Sequence, residues 1–304
     1  MLYPRFDELV ALKGKIPHLT LSSDRAISSP TVGDNYSPFR GQGLEFEEVR
    51  KYAPGDEIRN IDWRVTARTG MAHTKVFREE RERSVIVCVD VNATMRFGTR
   101  GTFKSVQAAR VAALLGWWAI TSHHKIGSCL FGDVPGGIQF LAPKRSRRSL
   151  WILFKQLSDP HVSEVAPPIL LEDMLDYVNK SALPGALIFI ISDFNTQNNV
   201  LAQKLAQLQK RCEVVLVMTD DPADQSIPPV GLISFRGNHQ DKLSVNTDSK
   251  SGRDAYAAQW LKTRQSFHQI SVKHKIGMIQ ITTDAPAHID LFQGLKRLRQ
   301  GRKL

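Results

Sequence analysis

Three oxygen-bearing side chains, Asp90, Asn92 and Thr94, occupy alternate positions of the segment Asp90-Val91-Asn92-Ala93-Thr94. An unbroken apolar run, Ser84 to Val89, precedes them, so this loop opens where a buried strand ends. A carboxylate, an amide carbonyl and a hydroxyl on one side of a tight loop form a set of hard oxygen donors. Such a set suits Mg²⁺, which keeps several waters and takes only one or two protein carboxylates. A second apolar run, Ala186 to Ser192, also ends in an aspartate, Asp193. If the two runs are neighbouring strands, Asp193 joins the set as a ligand or as a partner behind it. The same residue types also build turns and helix caps, and both readings stand at this point.

Other chemistry has little to work with. The chain has no Gly-x-Ser-x-Gly elbow, no His-Glu-x-x-His, no P-loop and no Gly-x-Gly-x-x-Gly after a strand. His123 and His124 close a predicted helix, where adjacent residues do not share a face, and suit a helix-dipole or solvent role. His268 and His274 lie six apart without a motif carboxylate. An enzymatic reading therefore reduces to a metal-dependent hydrolase working in an Asp90/Asp193 crevice.

The elements that must position these residues alternate along the chain. Strands are expected at Ser84 to Val89, Lys125 to Phe131, Ile138 to Leu141, Ala186 to Ser192, Glu213 to Met218 and Ile276 to Ile281. Helices are expected at Lys104 to Ser122, Arg148 to Leu157, Leu171 to Asn179, Asn199 to Lys210, Arg253 to Gln269 and Ile289 to Leu298. Two further short strands, Gly231 to Arg236 and Lys242 to Val245, lie in an insertion rich in Asp, Pro and Gly. Continuous apolar strands between helices imply an α/β fold, a doubly wound and mostly parallel sheet covered on both faces. Its ligand crevice lies beyond the carboxyl ends of the strands, where strand order reverses. Residues 1–83 read differently. Ser22 to Pro38 has no periodicity and is expected to be an exposed loop, while Gly41 to Ala67 suggests a small β-rich appendage. The expected division is thus an appendage, 1–83, and a main domain, 84–304.

Composition narrows the partners. With 42% hydrophobic and 23% charged residues the chain is globular rather than disordered. A net charge of +11 favours an anionic partner. Lys144, Arg145, Arg147 and Arg148 form one basic cluster, and Lys296, Arg297, Arg299, Arg302 and Lys303 another. Neither interleaves aromatic residues as a base-stacking platform requires, so nucleic acid ranks low and a solvated helix face ranks first. Cys88, Cys129 and Cys212 each sit in an apolar run without metal or disulfide spacing, which fits a reducing compartment. Met1-Leu2-Tyr3-Pro4-Arg5-Phe6-Asp7 lacks the basic start and apolar stretch of a leader. The longest apolar stretch outside the strands, Val111 to Ile120, is too short to span a membrane. The expectation is a cytoplasmic protein with room for peripheral membrane contact.

The strand-Asp-x-Asn-x-Thr loop, with a second strand ending in Ser192-Asp193, resembles the metal-ion-dependent adhesion site of von Willebrand factor A domains. Asn92 and Thr94 stand where that family carries two serines. Its additional threonine has no clear counterpart, Ser146 and Ser149 being the hydroxyls in the expected region. The upstream segments narrow the resemblance. Gly41-Gln42-Gly43-Leu44-Glu45-Phe46, Arg50-Lys51-Tyr52-Ala53-Pro54-Gly55-Asp56, Arg59-Asn60-Ile61-Asp62-Trp63 and Arg68-Thr69-Gly70 are similar to bacterial proteins containing domain of unknown function 58. Glu79-Glu80-Arg81-Glu82 and Met95-Arg96-Phe97-Gly98 agree with that pattern. The resemblance implies a von Willebrand factor A-like domain and a non-enzymatic adaptor. It also implies work beside a MoxR-type AAA+ ATPase in the assembly or maturation of client proteins. On that reading Mg²⁺ is held by Asp90, Asn92, Thr94 and Asp193, and these residues with Ser146 form the partner-binding surface. Arg59, Asp62 and Trp63 are expected to form a buried ion pair under an aromatic lid.

Overall fold

A computed structural model describes residues 2–16, 44–79, 82–159, 169–195, 199–236 and 242–301. The Ser22 to Pro38 loop, Arg302 and Lys303 lie outside them. The chain divides into two compact units, Met1–Arg25 with Arg83–Leu304, and Ala26–Glu82.

The large unit is built on six strands: β3 (Ser84–Asp90), β4 (Lys125–Phe131), β5 (Ile138–Lys144), β6 (Leu187–Ser192), β7 (Glu213–Asp220) and β10 (Gly277–Thr282). The small unit contributes β1 (Leu44–Lys51) and β2 (His73–Glu79), and an insertion contributes β8 (Leu232–Arg236) and β9 (Lys242–Asn246). The central order is β10-β7-β6-β3-β4-β5, parallel throughout except for the antiparallel edge strand β5. Chain order therefore reverses between β3 and β6. The two strands that end in Asp90 and Ser192-Asp193 are hydrogen-bonded neighbours at that point, Val89 opposite Ile191.

Nine helices are described: α1 (Phe6–Ala11), α2 (Trp63–Thr69), α3 (Lys104–Thr121), α4 (Arg147–Ser158), α5 (Leu171–Ser181), α6 (Asn199–Arg211), α7 (Pro222–Gln225), α8 (Lys250–His274) and α9 (Ala287–Gly301). Alternate residues of the central strands feed two cores. Val85, Val87, Val89, Phe189 and Ile191 pack under α1, α3, α4 and α9. Ile86, Cys88, Ile188 and Ile190 pack under α5, α6 and α8. This two-sided burial explains why the strands read as continuous apolar runs. α3 is buried on nearly all sides and rich in alanine, which lets it lie close to the sheet. At Gly116 a Cβ would stand 2.4 Å from Leu150 Cδ1, so a larger residue there would push the Leu150 side chain aside at the α3–α4 contact.

The N-terminal helix corrects the expected boundary at residue 83. α1 packs on the large unit because its apolar side chains find partners there. Leu9 is fully buried, and its carbonyl accepts a hydrogen bond from Trp117 Nε1 at 3.1 Å. The Phe6 ring stacks 5.6 Å from Trp151, and Glu8 meets Arg110 at 2.6 Å.

In the small unit β1 and β2 pair antiparallel, with a register shift between Phe46 and Glu48. Gly55, at φ 107°, completes the Pro54-Gly55 turn. Asp56 closes that turn by accepting from Ala53 N at 2.9 Å and pairing with Arg50 at 2.6 Å. The expected Arg59–Asp62 ion pair under Trp63 is not formed. Asp62 is the N-cap of α2, accepting from Arg64 N at 3.0 Å and Val65 N at 3.1 Å, and its ionic partner is Lys75 at 3.7 Å. Capping two free backbone donors outcompetes a side-chain partner three residues away. Trp63 is 67% exposed.

The docking of α1 can be checked directly. Leu9→Ala should cost the large unit about 2–4 kcal/mol in urea unfolding. A loss below about 1 kcal/mol, within the range of surface substitutions, would contradict the packing described.

Candidate binding site at the strand ends

Parallel pairing of β3 and β6 brings the expected carboxylates together, and both are buried, Asp90 at 6% and Asp193 at 3% exposure. Asp90 is saturated with donors. Its Oδ1 accepts from Asn92 N at 3.0 Å and Asn92 Nδ2 at 2.9 Å, and its Oδ2 accepts from Ser192 Oγ at 2.6 Å. Ser192 Oγ in turn accepts from Phe194 N at 3.1 Å, where the chain turns through a left-handed residue, Phe194 at φ 48°. Asp193 accepts from Asn195 N at 3.3 Å and Asn195 Nδ2 at 2.7 Å, and its Oδ2 lies 3.6 Å from Lys104 Nζ.

Asn92 spans the gap to the neighbouring loop. Its Nδ2 also reaches the carbonyl of Ile169 at 3.3 Å, while its Oδ1 is buried with no hydrogen-bond partner. That oxygen faces Gly132, where a Cβ would stand 2.7 Å from Asn92 Cγ, and Gly132 itself adopts φ +116°. Glycine at 132 thus makes room for a side chain larger than serine. Thr94 is half-buried in a 3-10 turn, Ala93–Met95, pinned by the fully buried Met95.

The loop from Val91 to Phe103 is fastened on both flanks. Arg96 pairs with Asp133 at 2.6 Å beside the end of β4. On the β7 side, Asp221 accepts from Thr99 N at 2.9 Å, from Thr99 Oγ1 and from Thr283 Oγ1 at 2.5 Å. Burial works to raise the Asp221 carboxyl, but these donors overcome it and hold the group below its ordinary range.

Ser146 is not brought to this site. It caps α4 by accepting from Arg148 N at 3.1 Å, just beyond β5. β5 runs antiparallel to β4, pairing Ile138 with Phe131 and Lys144 with Ile126, so the chain has returned to the opposite end of the sheet. His124 also departs from its expected solvent role, being buried with its ring 5.3 Å from that of Trp118. Lys144, Arg145, Arg147 and Arg148 are exposed, as are Lys296, Arg297 and Arg299.

Sequence reasoning missed Ser192 as a hydrogen-bond donor, and it missed Lys104, Asp220, Asp221, Asp224 and Arg264. One signal was present. Lys104 opens a helix, where the dipole disfavours a cation, so it calls for anionic partners.

The family model described as protein of unknown function DUF58 matches residues 48–266. The chain belongs to this family. Uncharacterized proteins of Mycobacterium bovis and Mycobacterium tuberculosis are 27% identical to it over 214 residues, a match covering 70% of this chain and 66% of each relative. The chain thus spans just under two thirds of the length of those relatives. Among solved structures, the fold is similar to the conserved hypothetical protein BatB from Bacteroides thetaiotaomicron, at TM-score 0.46 and 14% identity, covering 72% of this chain and 99% of that one. It is also similar to the SpRpn10 VWA domain, at TM-score 0.41 and 10% identity, covering 70% and 94%.

As this DUF58 chain arranges them, three of the four candidate Mg²⁺ ligands, Asp90, Asn92 and Asp193, are engaged by other groups of the protein. The ion demands oxygen donors in near-octahedral geometry. Asn92 presents its amide nitrogen to Asp90 and turns its oxygen against Gly132, and both oxygens of Asp90 already accept hydrogen bonds. Asp193 is engaged by Asn195 and approached by an ammonium.

Burial pushes the Asp90 carboxyl up to about 7. The neighbouring Asp193 charge adds to that, while the Ser192 and Asn92 donors oppose it. The folded state therefore holds this proton more tightly than the unfolded chain, whose aspartates titrate near about 3.9. The resulting stabilisation is complete below about pH 4 and is lost as pH rises through about 7. Asp90→Asn carries no such charge. The difference in Tm, variant minus wild type, should become more positive between pH 5 and pH 8, by an amount worth a few kcal/mol in order of magnitude. A difference that stays flat or falls would contradict the burial of an ionisable Asp90.

Proposed function

We propose that this protein is a non-enzymatic adaptor that works beside a MoxR-type AAA+ ATPase in the cytoplasm, assisting assembly or maturation of client proteins. The observation that carries the reading is where the DUF58-like segment puts its side chains. Trp63 and Ile58 are each 67% exposed and Met71 50%, and Arg59, Arg64 and Arg68 are exposed in the same short stretch. Large apolar side chains among arginines make up the composition of binding hot spots, in which Trp and Arg are enriched. Among the described residues of the small unit, no packing contact calls for a solvent-facing tryptophan. An acidic partner surface would meet both the arginines and the net charge of +11.

The strand-end site supports the same reading by its internal engagement. Its carboxylates are buried and engaged, a state suited to holding loops in shape rather than to activating a substrate. Among the described residues, no helix is long and apolar enough to cross a membrane.

The test is capture from the native cell with wild-type protein and with Trp63→Ser/Arg64→Glu, followed by rebinding of the purified candidate. Circular dichroism should be unchanged, because the replaced side chains are exposed. The expected outcome is an AAA+ ATPase recovered by the wild type and weakened at least tenfold in Kd by the variant, the scale of one lost hot spot. An ATPase bound equally by both proteins would refute the assigned surface. Metal-dependent turnover of a generic phosphomonoester, lost in Asp90→Ala, would favour a hydrolase instead.

A further inference from the structure

Lys104 is among the most deeply buried side chains of the protein, at 1% exposure, although lysine is almost never buried without a partner. Its Nζ lies 2.7 Å from Asp224 and 3.6 Å from Asp193, and it stands over the Phe97 ring at 5.3 Å. Burial works to lower its basicity. The carboxylates of Asp224 and Asp193 close around it and favour the charged form, which the more distant Asp220 also supports. Asp220 has its own cation in Arg264, whose Nη2 also donates to the Asp193 carbonyl at 2.8 Å.

The position of Lys104 in the chain is as telling as its contacts. It is the first residue after the segment carrying Asp90, Asn92 and Thr94, and that segment closes on it through Lys104 N to the Phe97 carbonyl at 2.8 Å. An ammonium placed there opposes the dipole of α3, and burying it costs free energy that only close anions return. What it delivers is one fixed positive charge beside Asp193, from within the chain. Asp90 meanwhile accepts from three donors, Asn92 is held through its amide nitrogen while its Oδ1 stays without a partner, and the loop flanks are tied by Arg96–Asp133 and Thr99–Asp221.

We propose that Lys104 is the built-in counter-cation of the strand-end site, organising Asp193 and the loop after β3 in place of a divalent metal ion. Contacts made at this end of the sheet are then independent of Mg²⁺ and insensitive to EDTA. This inference stands apart from the adaptor reading and does not depend on it.

Two measurements on the full chain test it. In the first, Mn²⁺ is the probe. Titration followed by electron paramagnetic resonance should leave the free Mn²⁺ signal unattenuated at millimolar metal, and Tm should be equal in Mg²⁺ and in EDTA. Stoichiometric Mn²⁺ binding that disappears in Asp90→Ala would overturn the proposal. In the second, a double-mutant cycle separates charge balance from mere packing. Lys104→Met should lower Tm by about 10 °C, the scale of an unpaired buried charge, and adding Asp193→Asn should recover part of that loss. Should Lys104→Met give no folded protein while the double variant folds, the same coupling has been read at its extreme. A Tm within about 2 °C of wild type, or no recovery on adding Asp193→Asn or Asp224→Asn, would overturn it, because surface-like or purely steric effects behave that way.

Discussion

Two aspartates at the ends of adjacent parallel strands, both taken out of water, are the constraint around which this end of the molecule is arranged. Like charges in a poorly polarisable interior repel strongly, and each also loses its hydration. The chain answers differently on each side. Asp90 is met by neutral donors from Asn92 and Ser192 and is raised toward neutrality by burial. Asp193 is met by the Asn195 amide and by a lysine drawn inward from the start of α3. The loop between Asp90 and Lys104 is short, so both answers also set its course. Gly132 belongs to the same arrangement, since any side chain there would push Asn92 off Asp90.

Much of this was legible in the sequence where the signal was local. Continuous apolar runs marked the strands of a two-sided sheet, and all six central strands lie where those runs fall. The doubly wound pattern put a crevice at the reversal of strand order, and the pairing of β3 with β6 is what places Asp90 and Asp193 there. Some misreadings come from contacts between residues far apart in sequence, others from a local cap taken for a longer-range partner. Lys104 and Asp224 are separated by half the large unit, and no local pattern announces their pairing. Ser146 is expected at the site because it lies where the resembling family carries a further threonine, but β5 is antiparallel and delivers its following loop to the other end. Asp62 seemed paired with Arg59 because they are close in sequence, whereas its carboxylate is consumed by the first turn of α2. The first helix looked like part of the appendage until Leu9 and Phe6 were seen against α3 and α4.

In the DUF58 chain the buried charge and the exposed apolar side chains fall in different units. The strand ends hold buried, internally balanced charge that fixes loop geometry. The small unit carries exposed Trp63 and Ile58 among arginines, where geometry is cheap and contact area is available.

The central claim is that a protonated lysine inside the protein balances the strand-end carboxylates. The most direct measurement is a ¹H–¹⁵N correlation spectrum of the Lys104 side chain, assigned by comparison with Lys104→Met. The account predicts a protected ammonium signal that persists through alkaline pH beyond the exposed lysines and does not move when Mg²⁺ replaces EDTA. A neutral amine near physiological pH, or a signal displaced by Mg²⁺, would contradict it.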